Sequence, residues 1–570
     1  MSYVVTQSCC SDASCVVACL VNCIHPAPGE PGFAEAEMVY VDPKACVGCG
    51  ACATACPVDA IVPQTVLTEA QQPFVDLNAE YYDVFPHPDR PPVAVVPPQR
   101  RLTRPGPFRV AVVGAGPAGL YTADELLKHP EVRVDVYDRL PTPYGLVRAG
   151  VAPDHVATKQ VEQLFRAIEE QPGFRYFLGV EVGDDDSSDL RLEELRSLYH
   201  AVVVTVGAAA DRPLGIEGEE LLGSCSSTDL VGWYNGHPDK QELVVPLQHE
   251  RAVVVGNGNV ALDVARVLTA DPELLAPTDI ATLPLTALRA SRVREVVVLG
   301  RRGPDEAAFT VPELIGLRGL PVNVRTELGG EGFEGTTLKG RLLRELADRP
   351  HEAGRPTVVL RFLTSPVRVL GTDQVTGIEL VRNRLGTGPD GAVRAVPTGE
   401  TETLPCGLVV RAVGYHGRPV AGLPYDAHRG VIPNEHGRVS PGVYVAGWIK
   451  RGPTGFIGTN KSCAQETVEQ LLDDLDSGLP EPTGTLASIV DTVRERQPHA
   501  VDLAGWREID ADERRRGAER GRRRVKIVDV DELRRIAAGA RLPERRASRA
   551  LWPGRSGSAR RHQPEGQLRT

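Results

Sequence analysis

Nine of the twelve cysteines lie before residue 57, and their spacing is the first chemical signal in the chain. Cys46, Cys49, Cys52 and Cys56 form a C-x2-C-x2-C-x3-C run followed by Pro57. Three thiolates at this step wrap one iron–sulfur cubane, and the fourth reaches across to a neighbouring cluster. Two C-x2-C steps also suit a tetrahedral zinc site, but the overlapping triple and the trailing proline favour iron–sulfur. Upstream, Cys9-x2-Asp12-x2-Cys15-x3-Cys19 repeats the spacing, with Asp12 in the second ligand's place and Leu20 where a proline belongs. Cross-ligation then assigns Cys19, Cys46, Cys49 and Cys52 to one complete [4Fe–4S] cluster. Cys9, Cys15 and Cys56 hold a second that lacks a fourth thiolate. It should be [3Fe–4S], or a labile [4Fe–4S] cluster with the Asp12 carboxylate or water on one iron. Cys10 does not fit the spacing, and Cys23 has no ligand role in this scheme.

The second signal is a pair of glycine loops. RVAVVGAGPAGLYTADELL supplies a strand, then Gly114-Ala115-Gly116-Pro117-Ala118-Gly119, then a helix. Such glycines allow a tight turn and close approach of backbone to a pyrophosphate, which sits on the helix N-terminus. The next strand, VRVDVYD, ends at Asp138, where a carboxylate can accept hydrogen bonds from a ribose. The other loop lies in ERAVVVGNGNVALDVARVL, with Gly256, Gly258 and Ala261 in the glycine positions. No acid follows at the usual distance, because residues 271–290 look like an insertion. The strand EVVVLG runs instead into Arg301-Arg302. Two adjacent guanidiniums at the ribose end favour a 2′-phosphate, hence NADP over NAD. Two nucleotide folds in one chain point to a flavin and a nicotinamide.

The 570 residues that must position these groups allow roughly three or four domains. Apolar residues make up 42% and charged residues 24%, an ordinary globular composition. No apolar run approaches the ~20 residues needed to span a bilayer. The opening MSYVVTQSCC lacks a basic flank and an apolar core, so no export signal, no disulfide framework and a cytoplasmic location are expected. Net charge is -11, and nucleic-acid binding is not expected. Residues 1–66 form a cysteine-rich unit with six acidic residues against Lys44 alone. A Pro-rich linker spans 67–105; at about 3 Å per extended residue it reaches about 100 Å. A first nucleotide-binding domain takes 106–210 and 415–500, and a second takes 211–414. A C-terminal segment spans 501–540, and a basic tail expected to be disordered spans 541–570.

GAGPAG, PTPYGLVRAGVAPDH, VGNGNVALDVARVL, GRRGPDEAAFTVPEL and GWIKRGPTGFIGTNK together resemble the adrenodoxin-reductase-type ferredoxin–NADP reductases. The resemblance covers about 108–540. The cysteine unit is similar to the seven-iron and Asp-substituted bacterial ferredoxins, so the whole chain resembles reductases with a fused N-terminal ferredoxin domain. This implies an α/β fold: two Rossmann-like domains in a glutathione-reductase-like FAD/NADP arrangement, preceded by a small α+β ferredoxin domain with two clusters. It also implies residue roles. Asp138 stands where the family has Glu on the FAD ribose. Leu146 and Val180 line the flavin, and Trp448 with Gly455, Phe456 and Ile457 closes over its rings. Asn257, Gly258, Asn259 and Val260 sit at the NADP pyrophosphate. Arg301, Arg302 and Arg212 meet the adenosine phosphates, Glu313 lies near the nicotinamide, and His155 is the active-site histidine.

The implied activity is hydride transfer between NADPH and FAD, coupled to single-electron transfer to or from iron–sulfur clusters. The partners are the fused ferredoxin domain and an external ferredoxin or other one-electron acceptor. An electron-input subunit of a larger synthase, like the small subunit of glutamate synthase, is the alternative. Loss of residues 1–66 is expected to leave flavin reduction by NADPH nearly unchanged.

Overall fold

The computed structural model describes residues 2–539 apart from 97, 184–187, 329–332 and 390; the basic tail lies outside them. Near-continuous Val runs such as RVAVV and AVVV build two six-stranded sheets covered on both faces, as parallel strands require. In the first sheet the order is 438–440, 443–445, 201–204, 108–113, 132–138 and 174–178. All its neighbours run parallel except the edge strand Arg438–Ser440. The second is fully parallel, ordered 224–226, 408–411, 251–255, 295–299, 357–361 and 323–327. Each glycine loop leaves a central strand at its C-terminal end, where ligands bind in such sheets. The chain passes between the sheets on an antiparallel ribbon that pairs Ala210–Asp211 with Tyr415–His416. The insertion after the second loop forms the helices Pro272–Leu275 and Thr282–Arg289.

The cysteine unit has two small ribbons, Tyr3–Val5 with Ile61–Pro63 and Ile24–His25 with Tyr40–Val41. Two five-residue helices, Ser14–Ala18 and Ala51–Ala55, follow the loops that carry the cysteines.

The stretch 67–105 is not an extended linker throughout. Pro73–Val84 is a helix, with Pro73 in the first turn where its missing N–H is not needed. It buries Phe74, Leu77, Asn78 and Tyr82 on the cysteine unit. Asn78 accepts from the Val5 and Val41 amides and donates to the Val5 carbonyl, locking the helix onto both ribbons. Proline is dense only from Pro86 onward, which is why the earlier half can be helical. The remaining coil is pinned: the Thr103 amide donates to Asp476 at 2.8 Å, and Arg100 pairs with the same carboxylate at 3.0 Å. The unit is therefore docked. Its core is continuous with that of the second nucleotide domain, while Cys10, Val58 and Ala60 join the core of the first.

The C-terminal segment closes the structure with helices Leu503–Ala518 and Val530–Gly539. Buried charges clasp it to both nucleotide domains. Arg148 forks onto Glu513 at 2.9 and 2.5 Å, and Lys159 and Lys526 share Asp279 at 2.8 and 2.9 Å. Removing one member of such a set would strand a buried charge. Among the described residues no helix is long and apolar enough to cross a membrane.

Candidate functional site

At the first glycine loop, side chains are excluded by backbone. A Cβ on Gly119 would lie 1.9 Å from the Gly114 carbonyl oxygen, and one on Gly114 would lie 2.6 Å from that of Thr205. Gly114 also has φ +114°, the region that favours glycine. The helix Pro117–Leu127 opens there with free N-terminal amides. Asp138 accepts from the Ala115 amide at 2.8 Å and the Leu140 amide at 2.9 Å, which fixes its carboxylate against the loop. Leu146 is 45% exposed, unusual for a leucine, whereas Val180 is buried. Trp448 stacks on Tyr415 at 5.6 Å and donates to the Thr454 carbonyl. Gly455 (φ +76°), Phe456 and Ile457 form the turn into helix Thr459–Ser477, tied by Phe456 N to Thr459 Oγ1 and Asn460 Nδ2 to Ile457 O. A cradle that any Cβ would fill, with an uncovered apolar side chain beside it, fits a bound dinucleotide.

The second loop is built alike: Gly256 has φ +113°, and a Cβ there would lie 2.1 Å from the Ala412 carbonyl. Asn259 starts helix Asn259–Thr269 and accepts from the Thr310 amide at 2.8 Å, with Asn257, Gly258 and Val260 beside it. Arg301 is exposed and Arg302 half-buried, and neither guanidinium has a hydrogen bond or ion pair among the described residues. Unpaired cations at a strand end suit an anionic ligand. Arg212 is exposed beside the interdomain ribbon, its amide donating to Gly414.

Between the two loops lies a polar knot. His155 Nε2 stands 3.7 Å from Asp263 and 3.8 Å from Glu313, beyond hydrogen-bond reach, so this buried nitrogen has no partner. Arg266 touches Asp154 at 2.9 Å, Asp263 at 2.8 Å and Glu313 at 3.5 Å. Burial pushes the Asp263 carboxyl up to about 6 against the pull of Arg266 and His155, with Glu313 and Asp154 adding to the rise. A sixth member comes from the cysteine unit: Gln7 Nε2 donates to Glu313 Oε2 at 2.9 Å.

Cys19, Cys46, Cys49 and Cys52 line one cavity, together with Cys23. Cys19 and Cys23 sulfurs lie 3.5 Å apart, and the Cys23 thiol and amide hold the Cys19 thiol down to about 5. Cys9, Cys15, Cys56 and Asp12 form a separate group close enough to raise one another's thiols. Burial is the main cause, pushing Cys9 up to about 11, so a metal is needed to draw thiolates from these side chains. Ser14 donates to the Asp12 carboxylate. The loop is bound to the reductase: the Gly458 amide donates to the Cys10 carbonyl at 2.7 Å.

Sequence reasoning missed Gln7, Cys10, Cys23, Asp154, Asp263 and Arg266. Two of them left a trace, because Asp263 and Arg266 are charges three residues apart on an otherwise apolar helix.

Residues 108–276 match the family model described as pyridine nucleotide-disulphide oxidoreductase, and 39–62 match the 4Fe-4S binding domain. A Mycobacterium leprae (strain TN) protein named "Probable ferredoxin/ferredoxin--NADP reductase" is 48% identical, covering 95% of this chain and 98% of its own. This chain belongs to the ferredoxin/ferredoxin–NADP reductase family. The reductase is also 44% identical to human mitochondrial NADPH:adrenodoxin oxidoreductase, over 75% of this chain and 91% of that one. The solved structure of Mycobacterium tuberculosis FprA in complex with NADPH is 45% identical, with a TM-score of 0.72, covering 76% of this chain and all of that one. The reductase is an FAD-dependent NADP oxidoreductase with an iron–sulfur domain at its N-terminus. The match along nearly the whole chain favours this over a synthase subunit.

Proposed function

We propose that the cysteine unit is the one-electron outlet of the reductase, and that its Asp12-containing site faces the flavin. FAD, when bound, takes an electron pair as hydride and can release electrons singly. The observation that carries the reading is the hydrogen bond from Gly458 to the Cys10 carbonyl, since Gly458 adjoins the Gly455–Ile457 turn that closes on the flavin site.

The chain's residues divide the remaining work. Gly114 to Gly119 bring backbone amides to the flavin nucleotide, and Asp138 presents its carboxylate to a ribose. Arg301 and Arg302 hold the 2′-phosphate of NADP(H), while Asn257 to Val260 approach its pyrophosphate. Glu313 and His155 orient the nicotinamide end, and the unpartnered Nε2 of His155 offers it a polar contact. Cys19, Cys46, Cys49 and Cys52 ligate the complete [4Fe–4S] cluster. Cys9, Cys15 and Cys56 ligate the other, which is [3Fe–4S] or a labile [4Fe–4S] cluster. An external ferredoxin or another one-electron protein is the acceptor.

The test is Cys56→Ser in the full chain. Flavin reduction by NADPH should persist while reduction of an external ferredoxin collapses. Equal external rates in variant and parent would remove the cysteine unit from the route. Arg301→Ala with Arg302→Ala tests the nucleotide assignment. Charge-assisted contacts are worth ~1.5–3 kcal/mol each, so NADPH affinity should fall by roughly two to four decades while NADH changes far less.

A further inference from the structure

The helix Val311–Arg318, which carries Glu313, is gripped along its length by the cysteine unit and the start of the stretch that follows it. At its first residue the Val311 amide donates to Glu37 at 2.9 Å. At its last residue Arg318 donates to the Glu69 and Ala70 carbonyls at 3.4 Å. Between them Gln7 reaches Glu313. Gln7 follows Thr6, whose amide and hydroxyl both donate to the Ala60 carbonyl, at 2.8 and 2.9 Å, so its backbone is held. Its carboxamide occupies a notch that exists only because residue 316 is glycine: a Cβ on Gly316 would lie 2.3–2.5 Å from it.

We propose that Gln7 is a positioning residue of the reductase's NADP site, setting the direction of the Glu313 carboxylate. The proposal rests on the reading of Glu313 as a nicotinamide-end residue. Among the described residues three donors approach Glu313 Oε2: Gln7 Nε2 at 2.9 Å, Arg266 Nη1 at 3.5 Å and His155 Nε2 at 3.8 Å. Only the first lies well within hydrogen-bond distance. Arg266 is already engaged by Asp154 and Asp263, so Gln7 is the one partner whose main commitment is to Glu313. A neutral donor holds the carboxylate without cancelling its charge, which leaves that charge available to the site. Docking of the cysteine unit therefore prepares the site that receives NADPH, and the unit is more than an electron carrier. Flavin reduction should depend on it, contrary to the expectation that residues 1–66 could be lost without effect.

The experiment uses the full chain with its clusters and flavin, mixed rapidly with NADPH. Gln7→Leu should lower the limiting rate of flavin reduction by about tenfold, the worth of one hydrogen bond to a charged group. The dissociation constant for NADP+ and the cluster spectrum should not move. Gly316→Ala fills the notch from the other side and should give the same loss, although alanine is the better helix residue and the fold gains by it. Combining Gln7→Leu with Glu313→Gln should give no more loss than Glu313→Gln alone, because the two act through one contact. Parent rates in both Gln7→Leu and Gly316→Ala, or losses that multiply in the double variant, would overturn the proposal. If Glu313→Gln itself leaves the rate unchanged, the reading of Glu313 fails and the proposal with it, an outcome distinct from the others.

Discussion

The two cysteine groups share a spacing and differ in surroundings. The cavity of Cys19, Cys46, Cys49 and Cys52 opens outward: Cys49 is exposed, and the flanking Val17, Leu20 and Val47 are 59%, 64% and 63% exposed. The group of Cys9, Asp12, Cys15 and Cys56 is turned inward, with Cys15 and Asp12 buried and Cys10 fastened to Gly458. Spacing selects the ligands, while the surface against which each site packs decides what it can exchange with. An apolar rim beside an open site suits a transient protein partner. A buried site against the Gly455–Gly458 turn suits an internal donor, and solvent exposure is one of the levers that set a cluster's potential.

The largest expected effect tests the inward site's composition. Asp12→Cys restores the fourth thiolate and should abolish the EPR signal of an oxidised three-iron centre, with the outward cluster's signal unchanged. A parent enzyme that never shows the three-iron signal, even in air, would erase the chemical difference between the sites. Next comes the docking contact. A Cβ on Gly458 would lie 2.2 Å from the Asp12 amide nitrogen, yet the residue's φ of -73° is ordinary for alanine. Gly458→Ala should therefore push the inward loop off the Gly455–Gly458 turn without backbone strain. Displacements of about 1 Å cost up to about a hundredfold where reacting groups must align, so delivery to an external ferredoxin should fall steeply while the outward cluster keeps its spectrum. Leu20→Glu or Val47→Glu tests the outward rim. Each should raise the KM for a protein acceptor by about tenfold, as for a central interface residue, and leave a small dye unaffected. Equal effects on both acceptors would show that the rim is not a docking face.

The smallest effect is a control at a carboxylate that is not among the cluster residues. Burial favours neutral Asp263, raising its carboxyl from 3.8 to about 6. The folded chain then binds more protons than the unfolded one across that window, so stability falls as pH rises through it. Asp263→Asn should flatten that part of the Tm-against-pH curve, and Asp12→Cys should leave it intact.

Local chemistry made much of the site legible in advance. Gly119 and Gly256 announce themselves because no side chain fits against the facing carbonyls, and the cysteine steps because a cubane demands them. The helix Pro73–Val84 was obscured by the proline-rich stretch that follows it. Gln7 and Glu37 were invisible for a different reason: each is an ordinary polar residue whose partner lies about 300 or 270 positions away. Cys10 was set aside on spacing, although its carbonyl makes the contact on which the docking turns.

By itself, then, the sequence determined the cysteine spacing and the two nucleotide loops, because these depend on residue types within a few positions of one another. Only the tertiary structure decided which cysteine group faces inward, and that a glutamine of the cysteine unit reaches Glu313. Those outcomes depend on which surfaces meet, and surface complementarity is a property of the folded arrangement that no local spacing encodes.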